Sequence, residues 1–88
     1  MMFDRQHYDQ VPSRFLDSLD AWAKTARPTG SFLRAVLENN LFEAVGRADS
    51  EAAEALRGIV TYVNCQLPGG CWGNKEVVEK WAGIGMPT

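Results

Sequence analysis

The chain has 88 residues, of which 45% are hydrophobic and 23% charged, and its formal net charge is −2. That is one domain with a real but marginal core, burying about 60–65% of its unfolded surface, so association with further copies would add stability. The balance gives no basic stripe and speaks against direct nucleic-acid binding, and no run of about 18 apolar residues exists to span a membrane.

Residues 1–10, MMFDRQHYDQ, are polar and mixed. They lack the apolar stretch of a signal peptide, so the expected location is the cytoplasm. The segment reads as a flexible arm, with Phe3 and Tyr8 as anchors and a partner subunit as one surface it can lie across. Residues 11–83 read as one helical domain and 84–88 as a frayed tail.

Val11-Pro12-Ser13 marks a helix start, with proline suited to the first positions and Ser13 available as a cap. Phe15, Leu16, Leu19, Trp22, Ala23 and Ala26 then recur at helical spacing to about Thr25. Trp22 is expected in the core, and Asp17 and Asp20 are expected to face water. Pro28 disfavours helix at Arg27 and ends the segment.

The stretch from Pro28 to Asp49 has the densest apolar periodicity. Thr29 or Ser31 is expected to cap a helix whose apolar face is Phe32, Leu33, Val36 and Leu37. Asn39-Asn40 interrupts it, since Asn tolerates the left-handed conformation and also caps new helices. Asn40 with Glu43 resembles a capping box. Leu41, Phe42, Ala44, Val45 and Ala48 form a second short apolar face, and Gly46 there suggests a close backbone approach. Arg34–Glu38 and Glu43–Arg47 are spaced as helix-surface ion pairs. Two readings stay open for the polar residues here: solvated helix faces, or a site in which Arg47, Asp49 and the Asn pair meet a ligand, Arg through its planar fork and Asn through paired donor and acceptor.

Asp49 or Ser50 caps the next helix, which runs to about Gln66 with Glu51 and Glu54 in its early turns, favourable for the dipole. Leu56, Ile59, Val60 and Val63 are its expected buried face, and Gly58 is a local weakness. The β-branched run Ile59–Val63 also fits a strand, but the Ala- and Glu-rich lead-in favours helix. Leu67-Pro68-Gly69-Gly70 breaks the chain; it lacks the Lys-Ser/Thr and preceding strand of a phosphate loop. Trp72 follows, either as a core plug or as a ring that stacks on a ligand. Asn74 caps a last helix from Lys75 to about Ala82, with Val77, Val78 and Trp81 inward, Glu76 paired with Lys80, and Gly83 as the stop.

Cys65 and Cys71 are expected as free thiols in a reducing cytoplasm, with a disulfide across the Gly-rich loop as the alternative. One His (His7) and two Cys at this spacing match no zinc pattern, so no metal or cofactor is expected. No nucleophile–base pair or carboxylate pair stands out, and catalysis is not expected.

Pro28, Gly30, Phe32, Leu33, Ala35, Val36, Leu37, Asn39, Leu41 and Ala44, then Arg47-Ala48-Asp49, Pro68, Cys71-Trp72-Gly73 and Trp81, form a pattern over about two thirds of the chain. It resembles a group of short hypothetical proteins of phages and prophages, with one departure at Asn40, where Asp is expected. The resemblance implies phage origin, small accessory size and no particular mechanism.

The expectation drawn from these readings is an all-α bundle of four to five short helices that assembles as a homo-oligomer. Its expected role, by association with small phage accessory proteins, is a counter-defence binding protein in the cytoplasm of an infected bacterium. As a sequestering protein it would hold a nucleotide-type immune signal: Arg34 or Arg47 on phosphate, Asn39, Asn40 or Asn64 on a base edge, Tyr62 or Trp72 stacking, with Asp49 in the same polar site. The alternatives are a protein-binding inhibitor of a host defence effector, for example an anti-CRISPR protein, and a non-enzymatic virion or accessory oligomer.

Overall fold

Proline at position 12, with φ −53°, precedes α1 (Ser13–Thr25) in a computed structural model that describes residues 5–84. The ring imposes that φ in any case, and no side chain caps the helix, so Ser13 serves as its first residue and not as its cap. Phe15, Leu16, Leu19, Trp22 and Ala23 form the buried stripe. The helix ends where Ala26 turns left-handed at φ 58°, its amide returning to the Trp22 carbonyl at 2.8 Å. That conformation costs a non-glycine residue about 1 kcal/mol, and Pro28 then forbids a restart at Arg27.

A helical elbow follows, made of α2 (Ser31–Leu37) and α3 (Leu41–Arg47) packed on one another. Gly30, at φ 91°, occupies the cap position of α2 and has no side chain to offer, so neither Thr29 nor Ser31 caps it. The break falls at the Asn pair. Asn39 takes the left-handed conformation at φ 61°, and Asn40 Oδ1 accepts the Glu43 amide at 3.2 Å. Only half of a capping box forms, because the Glu43 carboxylate turns to Arg47 at 2.7 Å. Of α3's apolar residues only Ala44 is buried, while Leu41, Phe42 and Val45 are 64%, 90% and 57% exposed. Most of the expected apolar face of α3 therefore points outward. No atom lies within 4 Å of a Cβ built on Gly46, so no backbone approaches there either.

Asp49 Oδ1 accepts the Ala52 amide at 2.8 Å and opens α4 (Ser50–Gln66), which includes the β-branched run as helix. Ala52, Ala55, Ile59, Tyr62 and Val63 face inward against α1. Val60 lies beyond the edge of that face and is 46% exposed, contrary to the expected inward position. Gly58 provides clearance: a Cβ there would stand 2.6 Å from Val11 Cγ2.

After a 3-10 turn at Gly69–Cys71, α5 (Lys75–Lys80) starts from Asn74, whose Oδ1 accepts the Val77 amide at 2.9 Å. It stops short of Ala82. Val78 is buried, and Val77 and Trp81 are half-buried. Trp81 leaves the helix and donates its indole N–H to the Trp22 carbonyl at 2.9 Å, while Trp22 donates its own to the Cys71 carbonyl at 3.0 Å. Gly83 then runs so close to α1 that a Cβ would meet the Lys24 carbonyl at 2.6 Å, and the Ile84 amide bonds that carbonyl at 3.2 Å. The remainder of the expected frayed tail, 85–88, and the expected Phe3 anchor lie outside the described residues.

Asp20 is buried, although it was expected to face water. It sits four residues after Leu16 and three before Ala23, over the core side of α1. Its carboxylate accepts the Tyr62 hydroxyl at 2.6 Å and Arg5 Nη2 at 2.6 Å; Arg5 also reaches Asp17 at 2.9 Å. Within the expected arm, Arg5 and Tyr8 are held to α1 and α4, Tyr8 buried edge-on against Tyr62 at 4.9 Å, while Gln6, His7, Asp9 and Gln10 are exposed. The described residues thus form five α-helices without a strand, the all-α bundle expected.

Candidate functional site

A cleft of about 370 Å³ opens between the elbow and α4. The left-handed turn at Asn39 swings α3 away from the core, leaving Val36, Leu41 and Ala44 on one wall and Leu56, Val60 and Val63 of α4 on the other. The Gly73 amide bonds the Leu37 carbonyl at 2.8 Å. That bond fastens the Cys-Trp-Gly loop to the end of α2 and brings Trp72 into the lining. The Trp72 Nε1 atom is buried with no hydrogen-bond partner among the described residues. Asn39, Asn40, Thr61 and Asn64 supply the polar lining, and the size is that of a small-molecule or side-chain site.

Asn39, Asn40, Asn64 and Trp72 are thus brought together. The other anticipated site residues lie elsewhere. Arg34 is paired with Glu38 at 2.8 Å along α2, and Arg47 with Glu43 at 2.7 Å along α3, as their spacing implied. Asp49 caps α4 and stands 3.9 Å from Arg14, which also holds Glu51. Tyr62 is fully buried and committed to Asp20. Burial first, and the Asp20 hydrogen bond second, push its phenol well above the ordinary tyrosine range. Asp20 and Asp17 likewise hold the Arg5 guanidinium more firmly protonated than usual.

Among the described residues the lining contains no charged side chain and no group that titrates near neutrality. It can bury apolar and planar groups and bond their edges through amides, but it holds no carrier for a proton. Cys65 and Cys71 are both free thiols. Cys71 is fully buried, and burial pushes its thiol up to about 11, the opposite of what a nucleophile needs. His7 is exposed and borders a separate depression with Glu54 and Arg57. Among the described residues no group of three His, Cys, Asp or Glu is placed to hold a metal ion, and no helix is long and apolar enough to cross a membrane.

Sequence reasoning missed the apolar half of this surface: it read Leu41, Phe42 and Val45 as a short apolar face without a site, and Leu56 and Val60 as buried. The signal was present in α3. Leu41, Phe42, Ala44 and Val45 span one broad arc of the helix, and an arc that wide exceeds what the core beneath Ala44 covers. Comparison with known proteins finds no match to the chain: no family model, no curated protein and no solved structure.

Proposed function

We propose that the protein is a non-enzymatic binding protein of phage type, a counter-defence factor that docks a protein on the face formed by α3 and α4. One observation carries this reading. Half-exposed Leu41 and Val60 wall an uncharged cleft, and Phe42 and Val45 add exposed apolar surface on the helix that carries Leu41. Contiguous apolar surface of this kind is characteristic of protein interaction sites, and a groove between two helices suits an amphipathic helix presenting apolar side chains at i and i+4. The host-defence target, the phage origin and the setting in an infected cell's cytoplasm rest on the resemblance to short phage and prophage proteins.

Sequestration of a nucleotide signal is the second reading. The amides of Asn39, Asn40 and Asn64 beside Trp72 favour it, since together they suit the edges and face of a base. The cleft offers no cation for phosphate: Arg34 and Arg47 are held by carboxylates on their own helices. A ligand of this kind would be held by its base alone.

The test is phage plating on bacteria carrying different defence systems, with and without the protein, alongside native mass spectrometry with cyclic nucleotides and NAD-derived signals. The protein-binding reading expects protection that Val60→Asp abolishes and no added small-molecule mass. A stoichiometric nucleotide mass, lost in Asn64→Ala, transfers the assignment to the second reading.

A further inference from the structure

We infer that the α3–α4 face is the contact surface between two copies of this chain, with Phe42 of each copy seated in the cleft of the other. This rests on the reading of that face as protein-binding and names its first occupant.

The face carries both halves of an exchange. Phe42 projects from α3 at 90% exposure, and the cleft beside it is walled by Leu41 and Ala44 of the same helix and by Leu56 and Val60 of α4. A cavity of about 150 Å³ already accepts benzene, so a cleft of about 370 Å³ accepts a phenyl ring with its flanking side chains. A two-fold contact sets one patch against its own image, and therefore requires projection and recess on the same patch. Here α3 supplies both.

Self-association also brings like charges together, and on this face the exposed Arg57 of α4, flanking Leu56, Val60 and Thr61, is the charge that a two-fold contact must keep at its rim. No charged side chain lines the cleft, and the charged pair of α3, Glu43 and Arg47, is internally neutralised at 2.7 Å. The area suffices as well. Phe42 alone brings on the order of 200 Å², and symmetry doubles each contribution. With Leu41, Val45, Val60 and the cleft walls, the contact reaches about 1,000 Å², the lower bound for a specific interface. The cleft is open in one copy and completed by the ring of the second.

The experiment is sedimentation velocity of the full chain across a hundred-fold concentration range, for the wild type, Phe42→Ala and Cys65→Ser. The wild type and Cys65→Ser are expected to dimerise. Phe42→Ala is expected to raise the dissociation constant at least ten-fold with unchanged circular dichroism, because Phe42 touches little within its own copy. A wild type monomeric throughout, or an oligomer indifferent to Phe42→Ala, overturns the inference. The two readings fail separately. A monomeric wild type whose protection Val60→Asp abolishes leaves the target-binding reading standing, and a dimer whose protection survives Val60→Asp leaves only the present one.

Discussion

A carboxylate inside a small helical protein needs partners, and Asp20 has two, the Tyr62 hydroxyl and Arg5, each at 2.6 Å. Tyr62→Phe removes one and leaves an acceptor unpaired in a buried setting, so stability should fall by about 1–3 kcal/mol. The readout is a lower urea midpoint at unchanged slope. Alkaline pH should act through two buried groups. Cys71 is pushed up to about 11 from its ordinary 9.0, and Tyr62 is pushed up from 10.0. The folded chain binds these protons more tightly than the unfolded chain, so stability falls as pH rises. The Cys71 contribution is whole below about pH 9 and lost by about 11; that of Tyr62 starts to fall above about 10. Melting temperatures between pH 8 and 11 should show the decline, with Cys71→Ala flattening its first part. The inward position of Asp20 was legible from Leu16 and Ala23 on either side of it. Its bond to Tyr62 was not, because nothing local connects residues 42 positions apart.

Two glycines, each in a helix, should respond to alanine with opposite sign. In α3, Gly46 is exposed and a Cβ would meet nothing, so Gly46→Ala should stabilise by about 0.5–1 kcal/mol through helix propensity. In α4, the same change at Gly58 gains that propensity but places a methyl 2.6 Å from Val11 Cγ2. Val11 and the segment before it must shift, so Gly58→Ala should lower the melting temperature, by an amount that reads how firmly that segment is docked. The helix boundaries were largely legible, since Asn40, Asp49 and Asn74 each cap through Oδ1 as their residue types imply. The direction of α3 was not. Periodicity reports that a face is apolar, and an interface satisfies the same pattern as a core.

For the whole molecule, a dimer joined at Phe42 ties stability to concentration. If the second copy binds only the folded chain, each hundred-fold excess over the dissociation constant adds about 2.7 kcal/mol. Melting temperature should therefore rise with protein concentration for the wild type, and for Phe42→Ala start to rise only at a concentration at least ten-fold higher, as differential scanning fluorimetry over a dilution series would show. Any other partner of the same face would compete with the second copy, so its binding should be strongest in dilute protein. The all-α class followed from periodicity and breakers. The assembly, with α1 against α4 and the chain returning from Trp81 to Trp22 across 59 positions, depends on contacts that composition and spacing do not encode.

The three indoles also divide the molecule optically. Those of Trp22 and Trp81 are tied to main-chain carbonyls, whereas that of Trp72 has an unpartnered N–H and lines the cleft. Incorporated as 5-fluorotryptophan, they would give three fluorine resonances. Two of these would follow unfolding, and the Trp72 signal would move when the cleft is filled, whether by a phenyl ring, a host helix or a base.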